Sequence, residues 1–254
     1  MIKLLELLNE IESSNSPSAI FLAGPAGSGK SFISQKVIPS SLIVINIDDE
    51  YEKMLKDTGL GLNQKDFSPE ELSQAAKLMG QARKLTNQKY EELTNSLKDV
   101  VIDGTGGSSN VILKKKSQLE DLGYKTFMLM LYVSPLTSLK RNSERTRSLM
   151  PSIILRTWRD VVKNIDIFSQ AFNPNFSLIN NNPDDVTTDF SQELIDPYFE
   201  DSKAVGKPKT PEELEKKEKE KEELNQEIKL LSQNVLKGDT LDQAKSKINK
   251  FLNE

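Results

Sequence analysis

The run Ala19-Ile20-Phe21-Leu22-Ala23-Gly24-Pro25-Ala26-Gly27-Ser28-Gly29-Lys30-Ser31 opens as an apolar segment and passes into a glycine-rich turn. It contains Gly24-x4-Gly29-Lys30-Ser31, and a helix-compatible segment follows through Val37. A buried strand, this spacing and then a helix make up the setting of a Walker A loop. The glycines let backbone N–H groups curl around phosphate oxygens where a Cβ would obstruct them. A helix beginning near Lys30 aims its positive end and its unpaired N–H groups at the same anion. Gly24, Ala26, Gly27, Ser28, Gly29, Lys30 and Ser31 are therefore the expected contacts to a nucleoside triphosphate, ATP being the natural choice. Lys30 is expected to bridge the β- and γ-phosphates, and the Ser31 hydroxyl to ligate Mg²⁺. The alternative is a glycine-rich turn that binds nothing.

At 254 residues the chain can bury a full core, and one α/β domain with an appendage is the natural organisation. A formal net charge of −4 supplies no global basic field to attract nucleic acid or an anionic membrane. The absence of cysteine and histidine excludes thiol nucleophiles, disulfides, Cys/His zinc sites and any histidine base. Acid–base work then falls to Asp, Glu, Lys or Tyr, and a metal must be held by oxygen, which suits Mg²⁺. Met1–Ser13 reads as an amphipathic helix without the apolar core and small-residue cleavage site of a signal peptide. No run is long enough to span a bilayer, so the expected location is cytoplasmic.

Downstream, Leu42-Ile43-Val44-Ile45-Asn46-Ile47 reads as a parallel strand covered on both faces, ending in Asp48-Asp49. Ser68-Pro69-Glu70-Glu71 carries a capping serine, a first-turn proline and an acid at the third position, which predicts a helix to about Leu97. Asp99–Asp103 is the third strand and runs into Gly104-Thr105-Gly106-Gly107. A helix capped by Ser108 or Ser109 and stopped at Gly123 comes next, then the fourth strand, Thr126–Val133. Ser134-Pro135 opens a helix expected to carry Arg141, Arg145 and Arg147; Ile153–Ile165 forms another, and Phe176–Asn180 a fifth strand. Strands alternating with helices predict an α/β fold, a parallel sheet with helices on both faces. The expected division is a domain over 1–198, a linker over 199–211 and a charged helical arm or hairpin over 212–254. In the arm, Leu224, Ile228, Leu231 and Val235 recur at helical spacing, and Leu241, Ala244, Ile248 and Leu252 define a second short helix. A solvated tail is the alternative.

In open α/β sheets, ligands sit at the carboxyl ends of the strands. Lys30/Ser31, Asp48/Asp49, Asp103/Thr105 and the asparagines after Ile179 all fall there. Asp48 is the candidate general base toward an acceptor hydroxyl, and Asp103 the acid that organises Mg²⁺ and its waters. For either, the competing reading is a carboxylate capping the next helix. Arg141 and Arg145, four apart, are expected to share a helix face and place positive charge on the migrating phosphoryl group. An exposed arginine-rich helix pairing with Glu144 is the alternative. Trp158, at helical spacing with Ile154, Val161, Val162 and Ile165, reads as core.

In order and type, Gly24–Ser31, Ile47-Asp48-Asp49, Asp103-Gly104-Thr105, Arg141-Asn142-Ser143-Glu144-Arg145 and Pro151…Trp158…Asn164 resemble the zeta-toxin-like P-loop kinases, with polynucleotide 5′-kinases as close relatives. The resemblance spans about residues 18–182 and leaves the C-terminal arm unmatched. It implies a sheet of order 2-3-1-4-5, Asp48 as base, Arg141 and Arg145 as a lid on the phosphates, and a helical insertion that helps hold the acceptor. Zeta toxins phosphorylate UDP-N-acetylglucosamine, and polynucleotide kinases a 5′-hydroxyl end. Two departures bear on the acceptor alone: Gly106-Gly107 stand where zeta-like sequences often carry a basic residue, and Tyr51 where polynucleotide kinases tend to carry arginine. The resulting expectation is a Mg-ATP-dependent kinase acting on a hydroxyl of a nucleotide-type or sugar-nucleotide acceptor. The other readings are an NTP-dependent binding or assembly module that docks a protein partner through 212–254, and a P-loop ATPase without a small-molecule acceptor.

Overall fold

A computed structural model of the chain describes residues 16–63, 67–145, 148–183, 196, 210–233 and 236–254. Its strands are β1 (Ser18–Ala23), β2 (Ile43–Ile45), β3 (Val100–Asp103), β4 (Lys125–Tyr132) and β5 (Phe176–Asn180). Its helices are α1 (Lys30–Val37), α2 (Ile47–Asp57), α3 (Pro69–Asn95), α4 (Ser109–Asp121), α5 (Pro135–Ser143), α6 (Pro151–Lys163), α7 (Ile165–Phe172), α8 (Pro211–Ser232) and α9 (Leu241–Asn253). Every strand pairing is parallel, in the order β2-β3-β1-β4-β5. That is the order the resemblance implies.

Alternate residues of the central strands feed two cores. Phe21, Met128 and Met130 pack with Trp158, Phe168 and Phe172 of α6 and α7. Ile20, Leu22 and Leu129 pack on the other side with Ile33 and Val37 of α1. The two C-terminal helices divide between these faces. Leu224 and Ile228 of α8 enter the first core, and Ala244, Ile248 and Phe251 of α9 enter the second. The charged residues described in the first turns of α8 are exposed, as a solvated helix requires. Trp158 is fully buried and donates through Nε1 to the Val133 carbonyl at 2.7 Å, the core role that its spacing predicts.

Between α8 and α9 the chain crosses the edge of the sheet at β5. There Asp239 N–H donates to Leu178 O at 2.6 Å, and Asn180 Nδ2 to Leu236 O at 3.0 Å. Ser177 Oγ and Lys247 Nζ both donate to Asp239 Oδ2 at 2.7 Å. Thr240 then opens α9 with a capping box that includes Gln243.

The apolar run 42–47 departs from its expected form. Only Ile43–Ile45 is strand, because the Asn46 side chain accepts the Asp48 N–H and starts α2 at once. β2 is also an edge strand, with Ile43 and Val44 exposed by 37% and 45%, so it is not covered on both faces. Asp48 and Asp49 consequently stand in the first turn of a helix, favourable for carboxylates near its positive end. α2 and α3 make a small core of their own from Tyr51, Leu55, Ala75, Leu78 and Ala82. α3 begins with the predicted capping box between Ser68 and Glu71.

The helix expected over Ile153–Ile165 is α6, which begins and ends two residues earlier; Asn164 then separates it from α7, a helix the sequence reading does not include. The expected Met1–Ser13 helix, residues 199–209 of the expected linker and Val235 lie outside the described residues. No described helix is long and apolar enough to cross a membrane.

Candidate nucleotide-binding site

β1 is buried along its whole length and delivers the glycine-rich loop to the carboxyl edge of the sheet. Gly27 and Gly29 have φ of +74° and +83°, backbone that other residues rarely adopt, and α1 starts at Lys30. The loop is held from behind. Ser138 Oγ donates to Ala26 O at 2.5 Å, Arg141 Nη1 to Gly27 O at 3.0 Å, and Asn181 Nδ2 to Ser28 O at 2.8 Å. Arg141 Nη2 also donates to Asn181 O at 3.1 Å.

In front of the loop lies a cavity of about 670 Å³. Ala26, Gly27, Ser28, Gly29, Lys30 and Ser31 line one wall, and Asp48, Asp103 and Arg145 line others. Lys30 Nζ donates to Gly24 O at 2.9 Å. Burial pulls its pKa below the usual lysine value, opposed by the negative charges of Asp103 and Asp48. Asp103 closes β3, which lies between β2 and β1, and its Oδ2 accepts from Asn46 Nδ2 at 3.0 Å. Its Oδ1 is buried with no hydrogen-bond partner among the described residues. Burial pushes the Asp103 carboxyl up to about 6, against the pull of Lys30 and with the help of Asp48 and Asp49. Burial also raises Asp49, reinforced by Glu52 and Asp48.

Asp103 and Ser31 line the same cavity, and an unpartnered oxygen on the Asp103 carboxylate fits an oxygen-liganded cation such as Mg²⁺. Among the described residues no three Asp or Glu side chains cluster to hold a metal alone. A cation here would draw its remaining ligands from water and phosphate, as Mg²⁺ commonly does.

The two arginines separate. α5 ends at Ser143, so Arg141 and Arg145 do not share a helix face. Beside that helix end the Asn142 side chain donates to Leu149 O at 2.9 Å and accepts Leu149 N–H at 3.0 Å, holding Leu149 against α5. Arg141 is consequently behind the glycine-rich loop, bonded to carbonyls, whereas Arg145 lines the cavity. Ser148 Oγ donates to Asn63 Oδ1 at 2.7 Å, tying the segment beyond Arg145 to the insertion.

In the sequence reading Asn46 figures only inside a strand, Asn142 only inside the family motif and Asn181 only among the asparagines at the strand edge, none with a role of its own, and Ser138 does not figure. Asn46 had a local signal, since asparagine just before an acidic turn is a favoured helix cap. Ser138 acts on main chain more than a hundred residues away and Asn142 on Leu149 beyond its helix, and neither carries one.

The sequence model of the zeta toxin family matches residues 3–186. Among solved structures, one from the PezAT chromosomal toxin–antitoxin system of Streptococcus pneumoniae is 20% identical, with a TM-score of 0.50, covering 84% of this chain and 89% of that one. The AvrRxo1-ORF1:AvrRxo1-ORF2 complex with ATP contains a chain 16% identical, with a TM-score of 0.51, covering 93% of this chain and 81% of that one. At these identities the likeness establishes a shared fold. No curated protein matches the chain.

Proposed function

The chain belongs to the zeta toxin family and has a P-loop kinase fold, and from that premise we propose that it is a Mg-ATP-dependent kinase transferring the γ-phosphoryl group to a hydroxyl of a nucleotide-type or sugar-nucleotide acceptor. The observation that carries this reading is the convergence of the Lys30/Ser31 loop, Asp48 and Asp103 on one cavity, with Asp103 Oδ1 left unpartnered among the described residues. ATP as donor is consistent with a cytoplasmic protein.

In this reading the amides of Gly27 and Gly29 and the Lys30 ammonium grip the β- and γ-phosphates. Lys30 exchanges its bond to Gly24 O for phosphate oxygens, whose charge favours the ammonium form against the burial that disfavours it. Ser31 and Asp103 would hold Mg²⁺, which neutralises charge on the phosphates when bound. Asp48 takes the proton of the acceptor hydroxyl as its oxygen bonds to the γ-phosphorus and the bond from that phosphorus to the ADP oxygen breaks. Arg145, on the cavity wall, supplies positive charge to the migrating group. The exposed charged side of α8 remains open to a protein partner.

The test is incubation with γ-labelled ATP, Mg²⁺ and a cell metabolite extract, followed by identification of the labelled compound. A phosphorylated nucleotide or sugar nucleotide is the expected product. Label recovered only as free phosphate would assign an ATPase instead.

A further inference from the structure

Three consecutive carbonyls of the loop, those of Ala26, Gly27 and Ser28, each receive a side-chain donor from outside it. In a trans peptide the C=O and the next residue's N–H point in opposite directions. Drawing these carbonyls back therefore turns the N–H groups of Gly27, Ser28 and Gly29 the other way. Ser28 N–H closes a turn onto Pro25 O at 3.1 Å, which leaves those of Gly27 and Gly29 for an anion.

The fit is close. A Cβ on Gly29 would stand 2.6 Å from Asn181 Nδ2, and one on Gly27 would stand 3.0 Å from Ser138 O and 3.2 Å from Arg141 Cβ. A side chain at either position would crowd these groups from the rear and strain a backbone at positive φ, quite apart from any ligand in front. Asn181 is itself anchored, through its N–H to Tyr132 O at 2.9 Å and its carbonyl to Arg141. The three donors come from α5 and from the end of β5, so the tips of two further elements set the shape of the loop.

We propose that Ser138, Arg141 and Asn181 are positioning residues for the triphosphate: they fix the peptide planes of the loop from behind, and Arg141 acts there, not on the migrating phosphoryl group. This rests on the reading that the loop binds ATP. It makes a distinction that a phosphate lid does not. Peptide planes shape the seat of every phosphate in the loop, so disturbing them weakens Mg-ADP and Mg-ATP by the same factor. An arginine on the γ-phosphate would affect ATP alone.

The experiment is calorimetric titration of the full chain with Mg-ATP and with Mg-ADP, in wild type, Ser138→Ala, Asn181→Asp and Arg141→Lys. Asn181→Asp keeps the side chain's size but removes its donor and sets a carboxylate against the Ser28 carbonyl. We expect roughly tenfold weaker binding of both nucleotides in Ser138→Ala and Asn181→Asp, at unchanged stoichiometry. Arg141→Lys, which keeps one donor, is expected to lose less. Unchanged dissociation constants would overturn the proposal, as would a lower stoichiometry at unchanged affinity, which marks simple loss of folded protein. An Arg141→Lys defect confined to Mg-ATP would return that residue to the lid. Should the wild type take up neither nucleotide, the ATP reading itself fails, an outcome separate from these.

Discussion

Asn46 and Asp103 are joined across neighbouring strand ends. Asn46 Nδ2 donates to Asp103 Oδ2 at 3.0 Å, while Asn46 Oδ1 accepts the Asp48 N–H at 2.8 Å. One amide side chain thus sets the proposed base and the proposed cation ligand relative to each other, and caps α2 in doing so.

Asn46→Ala removes both bonds. Loss of the cap and of a hydrogen bond to a carboxylate is expected to cost about 1–3 kcal/mol, read as a lower urea midpoint at unchanged m value. Phosphoryl transfer should fall further than stability does, because Asp48 and Asp103 both lose their common support.

Asp48→Asn keeps the size of the side chain and removes the proton acceptor. Transfer is expected to fall by about two to four orders of magnitude, with Mg-ATP affinity within about twofold of wild type. Lys30→Ala should weaken both. Full turnover by Asp48→Asn would remove it as base.

The Asp103 carboxyl, pushed up to about 6 by burial, ties stability to pH. An unfolded aspartate titrates near 4, so folding disfavours the charged form. The resulting cost to the ligand-free protein is full above about pH 6, shrinks as pH falls toward 4, and is absent below that. Two pKa units set a ceiling of about 3 kcal/mol. Asp103→Asn is therefore expected to stabilise the ligand-free protein at pH 7.5 and to leave it nearly unchanged at pH 4, as measured by denaturant unfolding. In the wild type, Mg²⁺-dependent ATP binding should decline as pH falls through 6, where the proton competes with the cation.

The C-terminal segment is expected to behave as part of the fold. Ile228 is fully buried on α8, and Ile228→Ala should cost about 2–4 kcal/mol, whereas Leu230→Ala, at a side chain 68% exposed, should cost under about 0.5 kcal/mol. A Cβ on Gly238 would stand 2.6 Å from both Asn180 N and Leu178 O, so Gly238→Ala must push the crossing segment off β5. Thermal unfolding of the three variants checks this, and equal midpoints for Ile228→Ala and Leu230→Ala would contradict the packing.

What could be read from the chain alone follows from how local each signal is. The glycine-rich loop, the Ser68 capping box and the strand Phe176–Asn180 are written in adjacent residues, and each is present as expected. The end of β2 was hidden because Ile43 to Ile47 is apolar on both sides of Asn46, so periodicity favoured one continuous strand over a capped break. The parting of Arg141 from Arg145 goes with Asn142, in the last turn of α5, bonding Leu149 beyond the helix, which no helical spacing discloses. Helical spacing marked Leu224, Ile228, Ala244 and Ile248 as apolar faces but held no information on what would cover them. Those partners are strands and helices far away in sequence.

The helix that starts at Lys30 buries Ile33 and Val37 beside Ala244, Ile248 and Phe251, so its inner side is completed by chain synthesised long afterwards. During translation that helix waits, half bare, while every strand of the sheet is made. Contacts so distant in sequence form slowly, since a large loop must close before they reward it. An mRNA truncated shortly before the codons of α9 would consequently yield a polypeptide whose α1 rests on the strands but lacks the cover of Ala244, Ile248 and Phe251.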